Sequence, residues 1–133
     1  MSPLTFKYKA WRGRISPIIT IGVNHRDQWI RTDAYVDSGA SYSVFDVSMA
    51  DSVGLDYEKC KKDQIHLPDG RKVPIYLSKH AIQIGKKRIA AEIGFLPQLG
   101  YGFNILGRKD IFDHFKICFD EKNLQMTFHL FDE

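Results

Sequence analysis

Ala34-Tyr35-Val36-Asp37-Ser38-Gly39-Ala40-Ser41-Tyr42-Ser43-Val44-Phe45 carries the strongest structural signal in this chain. An apolar-leaning strand end delivers a carboxylate into a tight turn. A hydroxyl and a glycine follow directly, and a second strand-like run resumes behind them. Asp-Ser/Thr-Gly alone carries little weight, because ordinary residue frequencies give about a 5% chance of one in a chain of this length. A second stretch adds the weight: Phe103-Asn104-Ile105-Leu106-Gly107-Arg108-Lys109-Asp110. Two apolar strand residues there run into Gly107. Arg108 then opens a segment to Phe115 in which Ile111, Phe112 and Phe115 are spaced for one face of a short helix.

Together the two stretches resemble the signature of retropepsins, the single-domain aspartic proteases that work as homodimers. In that family Asp-Thr/Ser-Gly-Ala is the active-site loop, and Ile-Ile/Leu-Gly-Arg-Asn/Asp closes the fold behind it. The resemblance spans roughly Ile18 to Phe128, since the order of the elements between the motifs also matches. It implies an all-β fold, a small closed acid-protease (retropepsin-like) barrel with one or two short helices, assembled as a two-fold dimer. Residues 1–133 are expected to form one such domain.

The resemblance carries residue roles with it. By this resemblance Asp37 is expected to be the catalytic carboxylate of an aspartic endopeptidase. Ser38 locks the loops of two subunits together, Gly39 lets them approach, and Ala40 is small where substrate backbone lies. Ile105 lines the substrate pocket, Gly107 lets the chain pass beside the active-site loop, and Arg108 is a buried, hydrogen-bonding strut. The family's usual carboxylate partner for that arginine is replaced here by Ser41, which leaves Asp110 or Asp46 as substitutes. The Asp69-Gly70 hairpin falls where the family carries its flap over the substrate, so Asp69 and Gly70 are candidate substrate contacts. Its charged tip, Pro68-Asp69-Gly70-Arg71-Lys72, also fits an ordinary exposed turn.

The chemistry explains why one motif is not enough. Hydrolysis by paired carboxylates needs one to act as base on water while the other protonates the carbonyl oxygen. Carboxylates held that close share one proton, the established behaviour of aspartic proteases. The chain has a single Asp-Ser/Thr-Gly, so catalysis requires Asp37 from each of two copies meeting on a two-fold axis. The expected partners are therefore a second copy and a polypeptide substrate. Two other readings stay open. The loop could be an Asx turn whose carboxylate merely caps backbone groups, and the fold could serve as a dimerising or peptide-binding module without proteolysis.

Composition closes off other classes. The 133 residues, 44% apolar and 13% aromatic, are globular values with enough material for a modest core. A net charge of +3, with basic groups separated by acidic ones, does not favour a nucleic-acid partner. The five histidines and two cysteines lack ligand-like spacing, so no metal and no cofactor are expected. No Gly-x-Ser-x-Gly elbow and no phosphate-loop glycine pattern occur. With no signal-peptide pattern and no apolar run of about 20 residues, the expectation is a soluble, cytoplasmic chain without membrane contact. Cys60 and Cys118 leave a single disulfide open.

Short β signals dominate the pattern. Strands are expected at Leu4–Lys9, Ile15–Val23, Gln28–Val36, Ile65–Leu67, Val73–Leu77, Ala81–Ile84, Arg88–Phe95, Lys116–Phe119 and Leu124–Leu130, with helices over residues 46–53 and 108–115. The first and last of these strands are expected to pair between subunits.

Overall fold

Residues 3–67, 69–97 and 104–131 are described by the computed structural model. Pro68 of the hairpin turn and Phe103 of the second motif lie outside them. The chain opens with β1 (Leu4–Lys7), β2 (Lys9–Trp11) and β3 (Arg14–Ser16). A turn at Arg12-Gly13, both at positive φ, joins β2 to β3. The long hairpin β4 (Ile18–His25) and β5 (Gln28–Val36) follows, turning tightly at Arg26-Asp27. Next come β6 (Ser43–Asp46), α1 (Val47–Ser52), one 3-10 turn (Tyr57–Lys59), β7 (Lys61–His66), β8 (Lys72–Ile84) and β9 (Lys87–Leu96). The chain finishes with β10 (Asn104–Leu106), β11 (Phe115–Asp120) and β12 (Gln125–Leu130).

Six of these strands close on themselves in the order β4-β5-β10-β6-β9-β8, with β8 returning to β4 through Ala81–Gln83 against Gly22–Asn24. The β-barrel of the expected retropepsin-like fold is therefore present. Its parallel pairings are the informative ones. β10 lies parallel to β5 and antiparallel to β6, so it occupies the slot between the two strands that the Asp37 loop connects. The loop must arch over the end of β10.

Alternation of residue type builds the core. Ile19, Ile21 and Val23 of β4 point inward together with Ile82 and Ile84 of β8 and Ile93 and Phe95 of β9. Ile111, Phe115, Met126 and Phe128 extend the same cluster from the last third of the chain. A second cluster, Val44, Ile75, Leu77 and Leu96, lies apart from it, with Tyr42, Ile65, Val73 and Ile105 packed against it. Each fully buried Ile or Phe side chain contributes about 1.5–3 kcal/mol in apolar burial.

Several expectations change on the structure. Val73–Leu77 and Ala81–Ile84 are one thirteen-residue strand, β8. Only its second half closes the barrel, while Lys72–Leu77 pairs with β7 in a projecting hairpin. Pro74 lies opposite Gln64 of β7, in the part of β8 that has no β9 partner.

Residues 108–115 form successive turns instead of a helix. Ile111 N and Phe112 N both reach the Arg108 carbonyl, but Asp110 adopts φ +65, which breaks any helical run. The terminal strands pair with each other within the chain, Leu4 opposite Phe128 and Lys7 opposite Gln125, in a sheet of order β1-β12-β11. Cys60 and Cys118 are both free thiols. The helix expected at residues 46–53 is found as α1, capped by the Asp46 side chain accepting from Ser48 N. Among the described residues no helix is long and apolar enough to cross a membrane.

Candidate active site

Asp37 follows directly on β5, and its position is set by backbone. Asp37 N donates to Leu106 O at 3.0 Å, which continues the β5–β10 pairing one residue past the strand. The loop then folds back on itself: Ala40 N donates to Asp37 O at 3.2 Å, and Gly39 N to Asp37 Oδ1 at 2.8 Å. The Asx turn is thus real, but it engages one carboxylate oxygen only. Asp37 is half-buried, whereas Ser38 and Gly39 are exposed on the outer side of the loop.

A strap passes beneath this loop. Arg108 N donates to Ala40 O at 2.9 Å and Lys109 N to Ser41 O at 2.8 Å. Gly107 N donates to the buried Ser43 hydroxyl at 3.0 Å. Gly107 makes the approach possible, since a Cβ there would lie 2.1 Å from Tyr42 O. Gly39 has no such constraint inside the chain. Its φ is outside the left-handed region, and an added Cβ would meet only Asp37 Oδ1, at 3.2 Å.

The loop opens into a groove of about 560 Å³. Asp37, Gly39, Ala40 and Ser41 line its head. Tyr42, Val44, Leu96 and Ile105 line its walls, and Gln64 to Leu67 of the hairpin's first arm cover it. Asp37, Ala40 and Ile105 are thereby brought together. The tip residues Asp69 and Gly70 are not part of the lining. Asp69 instead accepts from Arg71 N and Nε, at 2.9 and 2.6 Å, which closes the turn on itself. The arm, not the tip, faces the groove.

Arg108 also departs from expectation. It is exposed rather than buried, and its Nη2 reaches the Ser41 hydroxyl at a long 3.4 Å. Neither proposed substitute carboxylate pairs with it. Asp110 Oδ2 accepts from Glu92 N at 2.9 Å, and Asp46 Oδ2 accepts from Ser48 N at 3.0 Å.

Two residues that sequence reasoning passed over complete the frame. Buried Asn104 accepts from Asp46 N at 3.1 Å and donates to Thr32 Oγ1 at 3.0 Å, tying β10 to both neighbours below the loop. Ser43, fully buried, receives Gly107 N. Their signal was weak in sequence: a polar residue inside an apolar strand that is satisfied only by distant partners. Among the described residues no group of His, Cys, Asp or Glu could hold a metal ion.

Comparison with curated proteins gives no match. Among solved structures, a retropepsin-like aspartic protease from Rickettsia conorii superposes with a TM-score of 0.65 at 18% identity, covering 96% of this chain and 89% of that one. At this identity the likeness is one of fold. The aspartyl protease family model matches residues 21–108, the span from β4 through the Asp37 loop to the strap at Arg108, and the chain belongs to that family.

Proposed function

We propose that this chain is an aspartic endopeptidase, working as a two-fold dimer that activates water between the Asp37 carboxylates of two identical subunits. The observation that carries the reading is the seating of Asp37. Its carboxylate stands at the head of a peptide-sized groove, on a loop pinned from below by three backbone N–H donors. One oxygen is held by Gly39 N, which fixes the carboxylate's orientation.

Base and acid must act together on one carbonyl, and each chain supplies one such carboxylate. The second comes from a symmetric copy. Exposed Ser38 presents a hydroxyl to that copy, and exposed Gly39 offers no side chain to obstruct it. Ala40 keeps the head of the groove open, and Ile105 forms part of the apolar wall for a substrate side chain. The β7 arm lies over the peptide as a cover.

Asp37→Asn tests this directly. It conserves size and removes the ionisable group, so cleavage of unfolded protein should fall by at least about 100-fold with fold and assembly intact. Undiminished proteolysis by a clean preparation of the variant would sink the reading. So would wild-type activity that resists a transition-state-mimicking aspartic-protease inhibitor.

A further inference from the structure

Arg108 stands beside the groove with a charge that no carboxylate among the described residues balances. Its side chain is exposed, and the contact to Ser41 Oγ at 3.4 Å is a neutral one. Asp110 and Asp46 are turned to backbone donors elsewhere. The adjacent Lys109 is already neutralised, with Nζ 2.6 Å from Glu92 Oε1 and 5.0 Å above the Tyr42 ring. Among the described residues no carboxylate lies within ion-pair distance of Arg108. Ser41 and Tyr42 both line the groove that holds Asp37. The guanidinium is therefore one hydroxyl away from the path of a bound peptide.

We infer that Arg108 is a specificity-determining residue, selecting peptides with an aspartate or glutamate side chain in the subsite bordered by Ser41 and Tyr42. A carboxylate offers the guanidinium two acceptors in the plane of its fork, which a serine hydroxyl cannot. The selection is local to that subsite. The neighbouring walls, Val44, Leu96 and Ile105, are apolar, and an acidic side chain placed nearer Asp37 meets a like charge. Lys109, paired with Glu92 and set over the Tyr42 ring, is not free to take the same carboxylate.

This inference rests on the peptidase reading, and one experiment separates the two. Wild type, Ser41→Asp and Arg108→Gln digest the same random peptide library at low salt, with cleavage products sequenced by mass spectrometry. Wild type should enrich acidic residues about two- to five-fold at one fixed position, the range of an exposed ion pair. Ser41→Asp, which supplies an internal partner for the arginine, and Arg108→Gln should both erase that enrichment while selectivity at apolar positions persists. An enrichment unchanged in the variants, or none in wild type, overturns the inference. Loosened assembly of Arg108→Gln in sedimentation, with acidic selectivity intact, would assign the arginine to a subunit contact and also overturn it. If Arg108→Gln fails to fold, Ser41→Asp decides alone. A wild-type dimer that cuts no peptide at all removes the peptidase reading itself, an outcome distinct from cleavage without acidic preference.

Discussion

A Cβ added at Gly107 would lie 2.1 Å from Tyr42 O and 2.9 Å from Ala40 O, both backbone atoms of the loop that carries Asp37. Ala40 O cannot retreat without breaking its bond from Arg108 N, and Tyr42 directly follows Ser41, whose carbonyl is held by Lys109 N. Gly107→Ala should therefore destabilise by at least about 3 kcal/mol, at the upper end of overpacking, and abolish activity even where folded protein is recovered. Thermal denaturation beside an activity assay checks this; a near-native melting temperature would show that the strap is not as tight as the distances imply. Asp37 and Gly107 were legible in the sequence because each announces a local backbone requirement. Arg108 was not, because its exposure depends on where two distant carboxylates point. Asp110 reaches across to β9 and Asp46 turns to its own helix, choices that three-dimensional packing makes and spacing does not encode.

β8 shows the same boundary at the level of an element. Ile75 and Leu77 are buried on one parity, His80, Ile82 and Ile84 on the other, while the pairing to β9 runs without a break in register. The strand presents one face to the groove cluster and the opposite face to the barrel interior. Period-2 reading breaks at such a change of face, which is why the sequence suggests two strands where there is one. The segment after Arg108 errs in the opposite direction. Ile111 and Phe115 are buried as a helical face predicts, but the side chain of Asp110 is drawn to Glu92 N and its backbone crosses to φ +65. The projecting hairpin has a dynamic consequence. β7 pairs on one side only and is exposed at five of its six positions, whereas β4 pairs on both sides and contributes four buried residues. Amide hydrogen exchange of Lys61–His66 should therefore open at several kcal/mol less than that of Ile18–Val23. Equal protection of the two strands would mean that the hairpin unfolds only with the whole barrel and cannot lift as a cover.

The barrel as a whole closes through a short seam, three residue pairs between β4 and β8, and His80 stands at its edge. His80 Nδ1–H donates to Asn24 O at 2.9 Å, in the strand across the seam. Its Nε2 is buried without a partner among the described residues. Around the ring lie His25, centroids 5.4 Å apart, and Phe95, at 5.8 Å. Burial lowers the histidine's pKa from its ordinary 6.5; the Asn24 carbonyl works against that shift and His25 adds to it. Protonation would place a charge and a new N–H donor where no acceptor waits. The sign follows from linkage: the folded state binds this proton less readily than the unfolded chain, so His80 favours folding in full above about pH 6.5 and its contribution is lost as pH falls through the lowered folded value. His80→Gln, which retains a donor for Asn24 and cannot titrate there, should flatten the decline in denaturation midpoint between pH 7 and 5 relative to wild type. Chemical denaturation across that window measures it, and parallel pH curves for the two proteins would show that the acid sensitivity of the barrel originates elsewhere.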